Sequence, residues 1–112
     1  MWCVEFRTPS YFALAALIDG PLHGYGIVRR AAELSGGAVR LSTGTLYALL
    51  ERAIQDGLVV AGEHYVQGGR ERRDYTLTDA GRGALEAESV RMSEAARTVS
   101  TRLRATSRAA VA

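Results

Sequence analysis

Apolar residues recur along this chain with two different periods, and the change of period divides it into elements. Tyr11, Phe12, Leu14, Ala15, Leu17 and Ile18 predict a first helix that is apolar nearly all round, a pattern that asks for burial against more than one neighbour. Thr8 reads as its N-cap with Pro9 at the first helical position, and Asp19-Gly20-Pro21 stops it. A second helix is predicted from near His23-Gly24-Tyr25. It turns Ile27, Val28, Ala31 and Leu34 inward, leaves Arg29, Arg30 and Glu33 wet, and ends at Ser35-Gly36-Gly37. The third helix has the strongest start signal, with Ser42 as N-cap and Leu41 placed to staple onto Leu46. Its inward stripe is Leu46, Leu49, Leu50, Ala53 and Ile54, and Gly57 closes it.

The period then shortens to two. Leu58-Val59-Val60 opens a strand that resumes at His64-Tyr65-Val66, Gln67-Gly68-Gly69-Arg70 turns the chain, and 71–78 returns. On the returning strand Tyr75 and Leu77 share one face while Arg72 and Asp74 share the other. Thr78-Asp79 caps a long last helix whose stripe runs Leu85, Met92, Ala96, Val99, Leu103, close to a heptad, with fraying expected after about Arg104.

Three helices, a hairpin and a long helix predict a mainly α fold with a small β-hairpin: a winged helix-turn-helix with a long C-terminal dimerisation helix. The expected division is 1–78 for the winged helix and 79–112 for the dimerisation helix, both within one compact unit. The last helix has an apolar stripe and no second long helix of its own to pack on. A copy of itself is therefore the expected partner, with Tyr11, Phe12, Leu85, Met92, Val99 and Leu103 at the interface of a homodimer.

Composition narrows the rest. A chain of 112 residues forms one modest core. No apolar run reaches the roughly 18–20 residues that cross a bilayer, so no membrane partner is expected. The first residues lack the pattern of a secretory signal, and Cys3 has no partner for an internal disulfide, which fits a reducing cytoplasm. Cys3, His23 and His64 have no metal-ligand spacing, no phosphate-cradling glycine loop occurs, and no acid/base pair is recognisable. Neither metal, cofactor nor enzyme activity is expected.

The chemistry that does stand out is at the start of the third helix. The recognition helix of a winged helix-turn-helix enters the major groove of DNA by its N-terminal end. That brings Ser42, Thr43, Gly44, Thr45 and Tyr47 nearest a duplex. Hydroxyls and free N–H groups there suit phosphate oxygens, and Gly44 lets the backbone come close. Arg70, Arg72 and Arg73 on the wing would lie along the DNA backbone. Every basic residue of the chain is arginine, which pairs with phosphate in two-pronged fashion. The residues alone leave a plainer reading open, in which Ser42 and Thr45 only cap the helix and the arginines are solvated. Charge also counsels restraint: the chain carries only +2, and residues 42–78 hold four arginines against five acids, a net of −1. A winged helix that docks on another protein, without DNA, is the competing function.

Three stretches decide between these readings by resemblance. They are Gly20-Pro21-Leu22-His23-Gly24-Tyr25-Gly26-Ile27; Ser42 through Tyr47 with Leu50-Glu51 and Asp56-Gly57-Leu58; and Arg72-Arg73-Asp74-Tyr75-Thr76-Leu77-Thr78-Asp79-Ala80-Gly81-Arg82. In this order they resemble the PadR family of bacterial transcriptional regulators in its short form with a single C-terminal helix. The resemblance implies a homodimer that represses transcription from a palindromic operator on double-stranded DNA and is released by a small-molecule effector. Some members hold flat aromatic ligands between the subunits with an aromatic residue of the last helix. Here nothing from Asp79 onward is aromatic, which leaves Trp2, Phe6 and Tyr11 near the N-terminus as the effector-binding candidates; the alternative is that they are dimer core.

Overall fold

The computed structural model describes residues 7–111. Seven elements follow in order: α1 (Thr8–Ala15), β1 (Leu22–His23), α2 (Gly24–Leu34), α3 (Thr43–Gln55), β2 (Val59–Gln67), β3 (Arg70–Leu77) and α4 (Asp79–Val111).

Helix α1 begins one residue earlier than expected. Arg7, in extended backbone, is its N-cap and makes no side-chain cap bond, so Thr8 is already helical and Pro9 occupies the first turn. Regular helix ends at Ala15, after which Leu17 and Ile18 N–H donate three residues back, to Leu14 and Ala15, in tightened turns. Ala13, Leu14, Ala16 and Leu17 are all buried, as an all-round apolar helix requires. In α2, Ile27 and Ala31 are fully buried, but Leu34 at its end is 41 % exposed. In α3, Leu46, Leu50 and Ala53 point inward, while Ile54, expected in the stripe, is 39 % exposed near the helix end.

The expected hairpin is part of a three-stranded antiparallel sheet, ordered β1-β3-β2. Leu22 pairs with Tyr75 and His23 with Asp74. Two residues are too few to show a period of two, so β1 leaves no pattern in the sequence. Strands β2 and β3 run in register from Val59↔Leu77 to Gln67↔Arg70, with an irregularity between Ala61 and His64. There Gly62 and Glu63 together face Asp74, a bulge that accounts for the apparent gap in the apolar pattern. Gly68 and Gly69 both have φ > 0 (59° and 75°), the conformation a two-residue hairpin turn demands.

The core gathers Leu14, Leu17, Ile27 and Leu50 between the first three helices, closed below by Val59, Tyr75 and Leu77 of the sheet. Helix α4 starts on this core. The Thr78 hydroxyl accepts from Gly81 N–H (3.0 Å) and donates to the Gly57 carbonyl (2.6 Å), so the predicted cap also ties α4 to the end of α3. Leu85, expected at an interface between chains, is 6 % exposed and already belongs to this same core within the single chain. Glu88 is the last buried residue of the helix; every described side chain after it is exposed. The helix nevertheless continues to Val111 rather than fraying after Arg104. A compact head with a projecting arm results, 66 × 33 × 23 Å.

Candidate nucleic-acid interface

The first turn of α3 is built by its cap. Ser42 Oγ accepts from Thr45 N–H at 3.2 Å and donates to Thr45 Oγ1 at 3.0 Å, and Leu46 N–H reaches the Ser42 carbonyl at 2.9 Å. Two backbone donors, those of Thr43 and Gly44, are left without an acceptor among the described residues. Ser42, Thr43, Gly44 and Thr45 are all exposed, and a Cβ built on Gly44 meets nothing within 4 Å. The turn is therefore uncovered. Ser42 and Thr45 serve as cap, as the plainer reading held, and lie at the surface at the same time.

Behind this turn sits the start of α2. His23 caps α2 through Nδ1, which accepts from Gly26 N–H at 3.1 Å. The same Nδ1 lies 3.3 Å from an Arg72 terminal nitrogen, so with a backbone N–H already pointing at it, the arginine is the donor there too. Gly24 is where α2 and α3 touch: an added Cβ would come within 3.0 Å of the Tyr47 hydroxyl and 3.2 Å of Leu46. Glycine at that position lets the Tyr47 ring lie across the α2 start with half its surface exposed. Tyr25, which sequence reasoning did not single out, is 61 % exposed, stacks on His23 (6.4 Å, 17°) and lies under Arg29 (5.9 Å to the ring centre). Its position two residues after the capping histidine was the available signal.

The wing closes a cleft of about 590 Å³ against these helix starts, its walls including Tyr25, Thr43, Tyr47, His64, Arg70 and Arg72. Its three arginines are not equivalent. Arg70, beside the turn, is exposed. Arg72 is partly buried against His23, and its Nε is enclosed without a partner. Arg73 is braced on its own hairpin by donating to the Gly62 carbonyl at 2.8 Å.

Three of the five acids in this region are occupied by neighbours. Asp56 holds Arg52 (3.2 Å), Glu71 holds His64 (3.0 Å), and Asp74 accepts from the Tyr65 hydroxyl (2.6 Å). That last bond, followed by burial, raises the Tyr65 pKa above its ordinary value.

The other predicted residues lie elsewhere. Tyr11 and Phe12 meet edge to face (5.3 Å, 84°) on α1, and Tyr11 borders a cleft of about 270 Å³ with Ile18, Leu85 and Val90 where α1 meets α4. Met92, Val99 and Leu103 are exposed along the arm, Leu103 by 65 %. Trp2 and Phe6, the other effector candidates, and Cys3 fall outside the described residues. Among the described residues no three His, Cys, Asp or Glu side chains converge as a metal site would need, and no helix is long and apolar enough to cross a membrane.

The model of the PadR-like family of transcriptional regulators matches residues 13–87, from the last turn of α1 into α4. The chain belongs to that family. The family is one of regulators, not of enzymes. The transcriptional regulator Rv3488 of Mycobacterium tuberculosis is 43 % identical over 81 residues, covering 72 % of this chain and 72 % of that one. Among solved structures, Bacillus subtilis PadR in complex with operator DNA is similar with a TM-score of 0.62 and 29 % identity over 72 % of this chain. This chain spans about half the length of that PadR, 47 %. A PadR-family regulator from Eggerthella lenta matches over 86 % of this chain and 81 % of its own, with a TM-score of 0.70 and 26 % identity. The winged-helix head and the long last helix are thus features this chain shares with solved PadR-family structures.

Proposed function

We propose that this chain is a sequence-specific DNA-binding regulator that engages a palindromic operator as a homodimer and represses transcription until an effector releases it. One observation carries the reading: the first turn of α3 is uncovered, with no side chain at Gly44 and two unmet N–H donors, beside the cationic rim of the wing. Donors at a positive helix end suit phosphate oxygens, and a bare backbone suits close approach to a groove. The operator complex of the Bacillus subtilis relative supports DNA as the partner.

The homodimer rests on α4. Thirty-three residues make a helix roughly 50 Å long. Beyond Glu88 no described side chain of it is buried, while Met92, Val99 and Leu103 present an apolar stripe. A second copy covers that stripe, and the two heads then present their α3 turns to one duplex. The effector is assigned to the α1–α4 cleft at Tyr11, the described member of the aromatic candidates.

Footprinting on the DNA upstream of the protein's own gene tests this. The expected result is a protected inverted repeat with half-sites about one helical turn, roughly 34 Å, apart. Binding without sequence preference, or none at low salt, overturns the reading in favour of a protein-docking winged helix.

A further inference from the structure

Two clefts flank α3, and between them runs a crest. Thr43 and Tyr47 border the cleft on the wing side, and Thr45, Leu49 and Arg52 border one of about 590 Å³ toward α1. Gly44, Ala48, Glu51 and Gln55 follow one another at i, i+4, i+7 and i+11, all exposed, with Ala48 also touching the α1-side cleft. The first two carry nothing larger than a methyl group. Glu51 is thus the first long side chain on the crest, roughly 10 Å along the helix axis from Gly44.

Its chemistry is out of place for a phosphate-facing surface. Arg52 beside it is drawn to Asp56 (3.2 Å), while Glu51 forms no hydrogen bond or ion pair with any described residue. A free carboxylate between two rows of phosphates is repelled whatever the sequence. It is compensated only where a base edge offers a donor. In the major groove cytosine presents its N4 amine, whereas adenine sets the N7 acceptor beside its amine, and guanine presents acceptors alone.

We infer that Glu51 is a specificity-determining residue that selects cytosine at one position of each half-site by accepting a hydrogen bond from the N4 amine. This deepens the DNA-binding reading above and rests on it. The carboxylate acts chiefly against wrong sequences: it weakens every duplex and is compensated at one base pair. Affinity is given up for discrimination.

The test is selection of binding sites from a random duplex pool by the full chain, by Glu51→Gln and by Glu51→Ala, followed by competition between single-base variants of the enriched site. For the wild type the motif carries cytosine at one symmetric position, preferred over the other bases by roughly 5- to 150-fold. For Glu51→Gln that position turns to adenine, which a glutamine amide pairs in two-pronged fashion, and for Glu51→Ala it shows no preference. Both variants bind random duplex more tightly than the wild type does. Variants that keep the wild-type preference at every position, or that change affinity equally for all sequences, overturn the inference. A wild type that enriches no motif overturns the DNA-binding reading itself and this inference with it.

Discussion

Replacing Gly81 by alanine sets two effects of opposite sign against each other. Gly81 lies in the first turn of α4, where alanine is the better helix former by about 1 kcal/mol. Yet a Cβ there overlaps the Leu58 carbonyl oxygen, and it would stand 2.9 Å from the Leu58 carbonyl carbon and 2.8 Å from Leu77 Cδ1. The leucine methyl can rotate away. The Leu58 carbonyl has no such freedom, because it accepts from Thr78 N–H at 3.0 Å and is part of the corner that anchors α4. Pushing α4 outward breaks that bond and strains the Thr78–Gly57 bond beside it, about 1 kcal/mol each. Overpacking adds about 1–3 kcal/mol. The net expectation is a loss of roughly 2–4 kcal/mol, or about 8–16 °C in Tm at about 4 °C per kcal/mol for a domain near this size. Gly83→Ala is the control, since nothing lies within 4 Å of its Cβ; there only the helical gain remains and Tm rises. Thermal melts of both variants at one protein concentration decide the matter. A Gly81→Ala protein as stable as the wild type would falsify the rigid corner.

The uncovered turn predicts that Gly44→Ala melts no lower than the wild type but loses at least about tenfold in operator affinity, because its methyl holds the duplex off. On the wing, Arg70→Ala lowers the salt slope of binding by about 1 without changing Tm. Replacing Arg72 and Arg73 together lowers the slope by about 2 and also lowers Tm, because the His23 and Gly62 contacts go with them; an unchanged slope puts these arginines off the DNA. Met92→Asp or Val99→Asp yields folded monomers on a sizing column, whereas Leu85→Asp unfolds the head; a dimeric Val99→Asp protein would remove the arm from the interface. Stability also has pH limits. Arg91 holds the buried Glu88 carboxylate through two hydrogen bonds and lowers its pKa, so that stabilisation is present above the ordinary value of 4.5 and lost as pH falls through the lower folded value. Tyr65 and Tyr75 are raised, by the Asp74 hydrogen bond and by burial, so their contribution is present below 10.0 and lost as pH climbs through the higher folded values. Denaturation titrations that are flat below pH 4.5 or above pH 10 contradict these assignments.

How much of this was legible in the sequence depended on length scale. Helix α3 announces itself because cap, stripe and stop agree, and Ser42 caps it as its position suggests, while α2 is marked by its stripe and its Ser35-Gly36-Gly37 stop. Strand β1 could not be read, since two residues have no period and its pairing with β3 spans some fifty residues of chain. That Leu85 packs into the core could not be read for a related reason: it continues the stripe of Met92 and Val99 on one helix, and only the packing of α1 on α4 shows where core ends and arm begins. Arg72 looked like a free wing charge because nothing local reveals that His23, 49 residues earlier, will lie beside it.

The same long-range bond bears on how such a surface can work. Residues 42–78 carry net −1, so a single head attracts a duplex poorly; three of their five acids are engaged within the chain, but only Asp56, held by Arg52, is paired with a permanent charge. Bracing Arg72 on the α2 cap and Arg73 on the hairpin keeps two cations near the helix starts instead of letting them wander, which reduces the entropy lost on contact. It does not add charge. On the proposed reading the missing affinity comes from pairing: once one head is seated, the second faces its half-site at an effective concentration set by the arm, and two weak contacts multiply. That gain exists only while both turns are held at a defined separation. The corner at Thr78, Gly81 and Leu58 is where each head is locked to its arm, so a loosened corner and a broken α4 stripe should abolish operator binding alike, though neither touches the DNA-facing residues.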